Sequence, residues 1–311
     1  MLFDQPTEAE IKDATEKVRA LLDRRKAILL AHNYQPPWIQ DVADMCGDSL
    51  ELSRKAAETD AEVIVFAGVH FMAETASILC PDKTVLLPRQ DAGCPMADMI
   101  TARALEQRKS ELPGVAVVTY VNSPAAVKAL TDVCCTSANV VAVVNGMDAE
   151  EILMVPDRNL ARYAARYTEK HLHYWDGYCP FHDRLTADEV KAARLRRPDA
   201  VVMAHPECRP EVVDVADKVT STSGMLEYPS LDDATEFIVA TEVGILYPLS
   251  QRYPDRKFHA AADHMVCEDM KRITLTDVAT CLENMSGEVR VPEEIRRPAL
   301  AAVERMIRFS G

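Results

Sequence analysis

Apolar residues in this chain gather in short continuous runs rather than in alternation. Leu29-Leu30-Ala31, Val117-Val118 and Val202-Met203-Ala204 form one set; Val63-Ile64, Ile152-Leu153 and Phe237-Ile238 form another, each opened by a Glu. Such runs suit strands covered on both faces. Helical stretches separate them. Asp48-Ser49 caps a helix over 50–57, and a second helix covers 71–79. Thr7 with Glu10 forms a capping-box pattern ahead of an amphipathic helix reaching about residue 25. Two more helices are expected near 276–284 and 292–308.

These elements recur with a long period. The first apolar set ends in His32, Tyr120 and His205, at steps of 88 and 85 residues, and two residues further on stand Tyr34, Asn122 and Glu207. Hydroxyls that read as helix starts follow at Ser49, Ser137 and Ser221, then the Glu-led strands, then a third strand and a loop bearing Cys94, Cys179 or Cys267. Each copy therefore reads strand, helix, strand, helix, strand, Cys loop. Strands joined by helices run parallel with right-handed crossovers. The fold class expected is α/β: three Rossmann-like three-layer αβα units, each with a small parallel sheet, around a pseudo-threefold axis. Residues 1–92, 93–182 and 183–274 are the units, with 275–311 packing back on the first. In such sheets ligands bind beyond the carboxyl ends of the strands, where all the polar landmarks fall.

A net charge of −14 disfavours a nucleic-acid partner, which wants a basic surface. No apolar run reaches the ~18 residues that a membrane span needs, and the N-terminus carries charges where a signal peptide needs an apolar core. Nine cysteines, an odd number, argue against a complete disulfide framework and for reduced thiols and a cytoplasmic protein.

Cys46, Cys80 and Cys281 read as small buried apolar groups. Cys134 and Cys135 are adjacent and ill placed to ligate one ion together, and Cys208 has no counterpart in the other copies. Cys94, Cys179 and Cys267 differ. They sit at equivalent positions, the first two in Gly93-Cys94-Pro95 and Gly177-Tyr178-Cys179-Pro180. Three isolated thiolates with no close Cys pair suit a [4Fe-4S] cluster with one open iron better than structural zinc. His32, Tyr34, His205 and Glu207 have the side chains of general acid–base work. His70, His182 and His264 are secondary candidates.

The sequence resembles quinolinate synthase, an iron–sulfur family of NAD biosynthesis. The resemblance is carried by Ala31-His32-Asn33-Tyr34-Gln35, Gly47-Asp48-Ser49-Leu50, Gly93-Cys94-Pro95-Met96-Ala97, Tyr120-Val121-Asn122-Ser123, Cys135-Thr136-Ser137-Ala138-Asn139, Gly177-Tyr178-Cys179-Pro180, His205-Pro206-Glu207-Cys208, Ser221-Thr222-Ser223-Gly224 and Cys267-Glu268-Asp269-Met270-Lys271, in family order. It implies condensation of iminoaspartate with dihydroxyacetone phosphate to quinolinate, with loss of phosphate and two waters. It also implies a cluster on Cys94, Cys179 and Cys267. The substrate site would be lined by His32, Ser49, Tyr120, Val121, Asn122, Ser137, His205, Pro206, Glu207, Ser221 and Thr222. Tyr34, His205 and Glu207 would move protons, and an enzyme supplying the unstable imine is an expected partner. The paired hydroxyls of Ser221-Thr222 are the expected phosphate site. Other readings are a different [4Fe-4S] hydro-lyase acting on a hydroxy-acid, an iron–sulfur sensor or scaffold, and a zinc enzyme.

Overall fold

The computed structural model describes residues 6–309. Its strands form three separate four-stranded parallel sheets. The first holds β1 (Ala27–His32), β2 (Met45–Gly47), β3 (Val63–Ala67) and β4 (Thr84–Leu86), in the order β2-β1-β3-β4. The second repeats that order with β5 (Ala116–Tyr120), β6 (Val133–Cys135), β7 (Glu151–Val155) and β8 (His171–Tyr174). The third does so with β9 (Val201–Ala204), β10 (Lys218–Val219), β11 (Glu236–Ala240) and β12 (Lys257–Ala260). Helices flank each sheet, so the three Rossmann-like αβα units expected from the repeat are present.

Each sheet has four strands where the apolar runs indicate three. The extra strands, β2, β6 and β10, are two or three residues long and lie at the sheet edge. No periodicity can announce so short a piece. An aspartate places it instead, in the same way each time. The Asp44 carboxylate accepts the Leu29 N–H at 2.8 Å, while the Asp44 N–H donates to Leu29 O at 2.9 Å. Asp132 makes the same pair with Val117, and Asp217 with Val202, each carboxylate bond again at 2.8 Å. A reciprocal clamp at the entry to the edge strand fixes its register against the central strand.

The helix after each Cys loop is also built alike. Thr101, Thr186 and Thr274 stand seven residues beyond Cys94, Cys179 and Cys267 and cap the helices Ala102–Glu111, Ala187–Arg196 and Leu275–Asn284. A threonine hydroxyl satisfies one of the N–H groups that a helix start leaves free.

The described chain divides into two compact units. One comprises the chain up to Gly93 together with Glu268–Arg290; the other comprises Cys94–Cys267 together with the chain from Val291 onward. In the first, helix Leu275–Asn284 packs on Glu8–Arg25, whose Arg25 guanidinium donates to the carbonyls of Leu282 at 3.0 Å and Glu283 at 2.7 Å. The last helix, Glu293–Arg308, departs from the sequence expectation. It groups with the second unit, packing on β6 and the short helix Ala125–Lys128 of the second sheet. Its stripe of Ala299, Ala302, Val303 and Met306 is small enough for close approach, and Asn139 Nδ2 and Arg305 close the contact on Met306 O and Asp132 O. Among the described residues no helix is long and apolar enough to cross a membrane.

Candidate functional site

The second unit carries most of the polar landmarks, and Glu207 joins them. It lies just past the carboxyl end of β9, 3 % exposed. The Tyr120 hydroxyl, at the carboxyl end of β5, donates to Glu207 Oε1 at 2.5 Å. His182 Nδ1 lies 2.7 Å from the other oxygen, Oε2. The same Nδ1 is 3.2 Å from Cys179 Sγ, and His182 Nε2 is 2.7 Å from Thr241 Oγ1. His182 also stacks on His205, ring centres 4.7 Å apart. Tyr120, Glu207, His182 and His205 are therefore one buried network ending on a cysteine sulfur.

The backbone sets the state of His205. The Glu207 N–H donates to His205 Nδ1 at 3.3 Å, which leaves the ring proton on Nε2, 3.2 Å from Ser137 Oγ. Burial pushes the ring pKa down to about 3, in spite of Glu207 nearby. The imidazole is neutral at pH 7. Its 3.8 Å approach to the Glu207 carboxylate is thus no ion pair. Burial pushes the Glu207 carboxyl up. His182 and His205, together with the hydrogen bonds from His182 and Tyr120, outweigh that and hold it at about 2. Glu207 is ionised and aimed at donors. The same local turn occurs in the first unit, where the Tyr34 N–H donates to His32 Nδ1 at 3.2 Å and the two rings meet edge-on at 4.5 Å.

Cys94, Cys179 and Cys267 all belong to the second unit, and they feel one another. Burial drives the Cys94 thiol well above its ordinary range, with further upward pressure from Cys267 and Glu207. Burial and Glu207 do the same to Cys179, with smaller contributions from Cys94 and Cys267. Buried thiols crowded by one another and by a carboxylate lose their protons readily only when a cation joins them. The donor set is soft and suits a thiophilic metal or an iron–sulfur group. Cys179, His182 and Glu207 also form a possible metal-holding group, with ligand atoms all within 4.8 Å of one another. Of the remaining cysteines, Cys208 is also pushed up by burial and by Glu207. Burial raises Cys46 to about 11, and Cys134 and Cys281 to about 12. Cys46 lies in β2.

The other expected site residues fall as follows. Ser137 and Ser221 line one cavity of about 290 Å³ with Thr220, Tyr163 and Tyr167. Ser221 caps helix Thr222–Glu227, and Thr222 is buried. Ser137 does not start a helix; it sits in a turn, and helix Val140–Gly146 begins after Asn139. The Val121 N–H is taken by Cys135 O at 2.8 Å, and Pro206 is buried between His205 and Glu207. Asn122 Oδ1 is buried with no hydrogen-bond partner among the described residues. His32, Tyr34 and Ser49 belong to the first unit, His32 closing β1 and Ser49 opening helix Ser49–Glu58 behind an Asp48 cap. Of the secondary histidines, His182 is at the centre of the network. His264 instead faces Glu189 at 2.9 Å, and His70 opens helix His70–Leu79 in the first unit. Sequence reasoning passes over Asn159, which donates to Glu207 O at 3.1 Å and to Asp183 at 2.9 Å. It also passes over Thr241. Neither stands in a repeated motif, so no spacing points to them.

The comparisons with known proteins agree with the resemblance. The family model described as quinolinate synthetase A protein matches residues 16–308. The chain is 56% identical over 291 residues to the quinolinate synthase of Geotalea uraniireducens (strain Rf4), covering 94% of this chain and 96% of that one. It is 51% identical over 292 residues to the quinolinate synthase of Methanoregula boonei, covering 94% and 97%. Quinolinate synthase 2 of Methanosarcina acetivorans is 47% identical over 296 residues, covering 95% and 96%. With matches of this extent, the chain is an enzyme and belongs to the quinolinate synthetase A protein family.

Proposed function

We propose that this enzyme condenses iminoaspartate with dihydroxyacetone phosphate to give quinolinate, releasing phosphate and two waters. The observation that carries the reading is the buried line Tyr120–Glu207–His182–Cys179, which joins acid–base groups to a thiol set. Cys94, Cys179 and Cys267 would hold a [4Fe-4S] cluster, which, once bound, supplies an open iron as a Lewis acid for removing hydroxyl groups.

The protein's own residues do the rest. Glu207, ionised at pH 7, accepts a proton from a substrate carbon or hydroxyl, and Tyr120 shares that proton. Neutral His205 offers its Nε2 proton toward Ser137 and any oxygen beside it. Tyr34 acts as a second proton carrier. His32, Ser49, Val121, Asn122 and Pro206 complete the substrate contacts, and the unpartnered Asn122 Oδ1 is free to accept from a substrate donor. The triose phosphate group binds at Ser221 and Thr222. Thr222→Val should weaken dihydroxyacetone phosphate binding at least fivefold more than iminoaspartate binding; equal weakening would refute the placement. Further expectations are that an enzyme supplying the imine works beside this one and that both act in the cytoplasm.

The test is an anaerobic quinolinate assay, read as pyridine absorbance, on the parent chain and on Cys94→Ala, Cys179→Ala and Cys267→Ala. About 4 iron per chain in the parent is expected, with both iron and product lost in each variant. Product from any cysteine variant at the parental rate overturns the reading. The compact Cys179, His182 and Glu207 group favours a second reading, a single metal ion such as zinc. One zinc and no iron in active enzyme decides for it.

A further inference from the structure

Every Cys loop is fastened to the loop after its sheet's third strand by one repeated backbone bond. The His70 N–H donates to Ala92 O at 2.8 Å, Arg158 to Gly177 O at 2.8 Å and Val243 to Met265 O at 2.9 Å. Each acceptor stands two residues before the cysteine. Each donor stands three residues past the end of β3, β7 or β11. The three copies differ at the residue just before the donor, which is Val69, Asp157 or Glu242.

In the second and third copies that residue adds a second fastening. Asp157 Oδ2 accepts the N–H of Cys179 itself at 3.1 Å, and its Oδ1 accepts the Leu160 N–H at 2.8 Å. Glu242 Oε1 accepts the N–H of Cys267 at 3.2 Å, and its Oε2 the Gly244 N–H at 2.7 Å. The two carboxylates are 2 % and 1 % exposed. Each spends both oxygens on backbone donors, one in its own loop and one on the cysteine. In the first copy, Val69 has no acceptor to offer.

From this we infer that Asp157 and Glu242 are positioning residues, which lock the backbones of Cys179 and Cys267 so that their sulfurs stay converged, while the Cys94 loop lacks that lock. The inference rests on the three cysteines holding a cluster. Neither carboxylate ligates anything. Each cross-links two loops through backbone hydrogen bonds in a low-dielectric interior, where such bonds are strengthened; burial and the nearby Glu207 push the Asp157 carboxyl up, against the backbone bonds that favour its charged form. A residue that orients a ligand acts on how long the metal stays. Loss of such partners typically costs about 10–100-fold in metal affinity.

Asp157→Asn and Glu242→Gln keep the shape but leave one oxygen, so one of the two backbone donors faces an amide NH₂. The experiment uses anaerobically reconstituted holoprotein of the parent, both variants and Thr186→Ala, a cap change in the same unit that removes no bond to a cysteine. Iron per chain is measured first. Loss of visible absorbance on adding an excess iron chelator then gives the release rate, and thermal melting of the apo-proteins gives fold stability. Both variants should release iron at least tenfold faster than the parent, while Thr186→Ala lowers the melting temperature and keeps the parental release rate. Should Asp157→Asn fail to fold, Glu242→Gln alone decides. Release within twofold of the parent overturns the positioning role, and so does an equal acceleration in Thr186→Ala. A parent that takes up no iron overturns the cluster reading itself, a distinct result.

Discussion

Replacing Glu207 by Gln tests the network at its most heavily shared point. The carboxylate takes a proton donor on each oxygen, Tyr120 at 2.5 Å and His182 at 2.7 Å. An amide retains one acceptor oxygen, so one donor is left facing an NH₂ group in a buried site. A hydrogen bond to a charged group contributes roughly 1.5–3 kcal/mol, and an orphaned buried donor costs about as much as the bond lost. Glu207→Gln should therefore destabilise the apo-protein by about 2–3 kcal/mol at pH 7, read as a lower urea midpoint with unchanged slope. The sign with pH follows from Glu207 being held at about 2 against an unfolded value of 4.5. Its contribution is present above pH 4.5 and fades as pH falls through that value toward 2. The deficit of the variant should narrow over the same window. A Tyr120→Phe partner closes a double-mutant cycle, with a coupling of about 1–3 kcal/mol expected for groups in direct contact. In the anaerobic assay, loss of a positioned proton acceptor should lower kcat by about 10²–10⁴-fold with iron content unchanged. A coupling below about 0.5 kcal/mol, together with kcat within threefold of the parent, would refute the network as drawn.

Three further outcomes are expected. His205 is held neutral down to about 3, against 6.5 when unfolded, so it makes apo-protein stability fall as pH drops below 6.5. The loss by pH 5 is about 2 kcal/mol, and His205→Gln should flatten the urea midpoint over pH 7 to 5 by that amount. At Gly177 an added Cβ would lie 2.4 Å from Pro156 O, a backbone atom that cannot swing aside. Gly177→Ala should therefore displace the Cys179 loop and lower iron per chain while circular dichroism stays near parental. Met306 is fully buried on the helix that covers β6, and Met306→Ala should cost about 2–5 kcal/mol in urea unfolding. A cost below about 1 kcal/mol would argue that this helix is not part of the second unit's core.

Central strands were legible because burial on both faces writes them as apolar runs. β1, β5 and β9 and the Glu-led β3, β7 and β11 lie where the runs predict. Capping chemistry made the first helix legible down to Thr7 and Glu10. The edge strands were not legible, because Asp44, Asp132 and Asp217 place them through side-chain bonds to a strand fifteen residues earlier. Nor was the seat of helix Glu293–Arg308, since an amphipathic stripe states that a face is covered but not by what. At the site, Glu207 and His205 announced themselves by register, whereas His182 had only its distance from Cys179 to recommend it. Its centrality comes from three partners, Cys179, Glu207 and Thr241, of which two are remote in sequence.

The three copies supply an internal comparison that separates architecture from chemistry. Where one demand falls equally on all three, the residue is the same each time: Asp at the edge-strand clamp, Thr at the cap seven residues past the cysteine, and the cysteine itself, since the proposed cube asks each loop for one sulfur. Where the demand is unequal, the copies part. Two residues past His32, Tyr120 and His205 stand Tyr34, Asn122 and Glu207, three side chains with different proton chemistry at matching positions. The turn that presents them persists, with Nδ1 of His32 and of His205 each held by the N–H of that residue. The proposed pair of dissimilar substrates would give each loop a different task, so identity there would waste two of three copies. The same reasoning assigns Val69, Asp157 and Glu242 to the unequal class. A carboxyl at position 69 would stand where Val69 is almost fully buried, and a buried acid without a partner costs stability and displaces the loop it sits in. Restoring symmetry with Val69→Asp should therefore lower iron retention, although it adds the acceptor that the first copy lacks. Chelator release from that variant measures the balance: slower release than the parent would mean that loop fixation outweighs the cost of burying the acid, and would remove this account of the asymmetry.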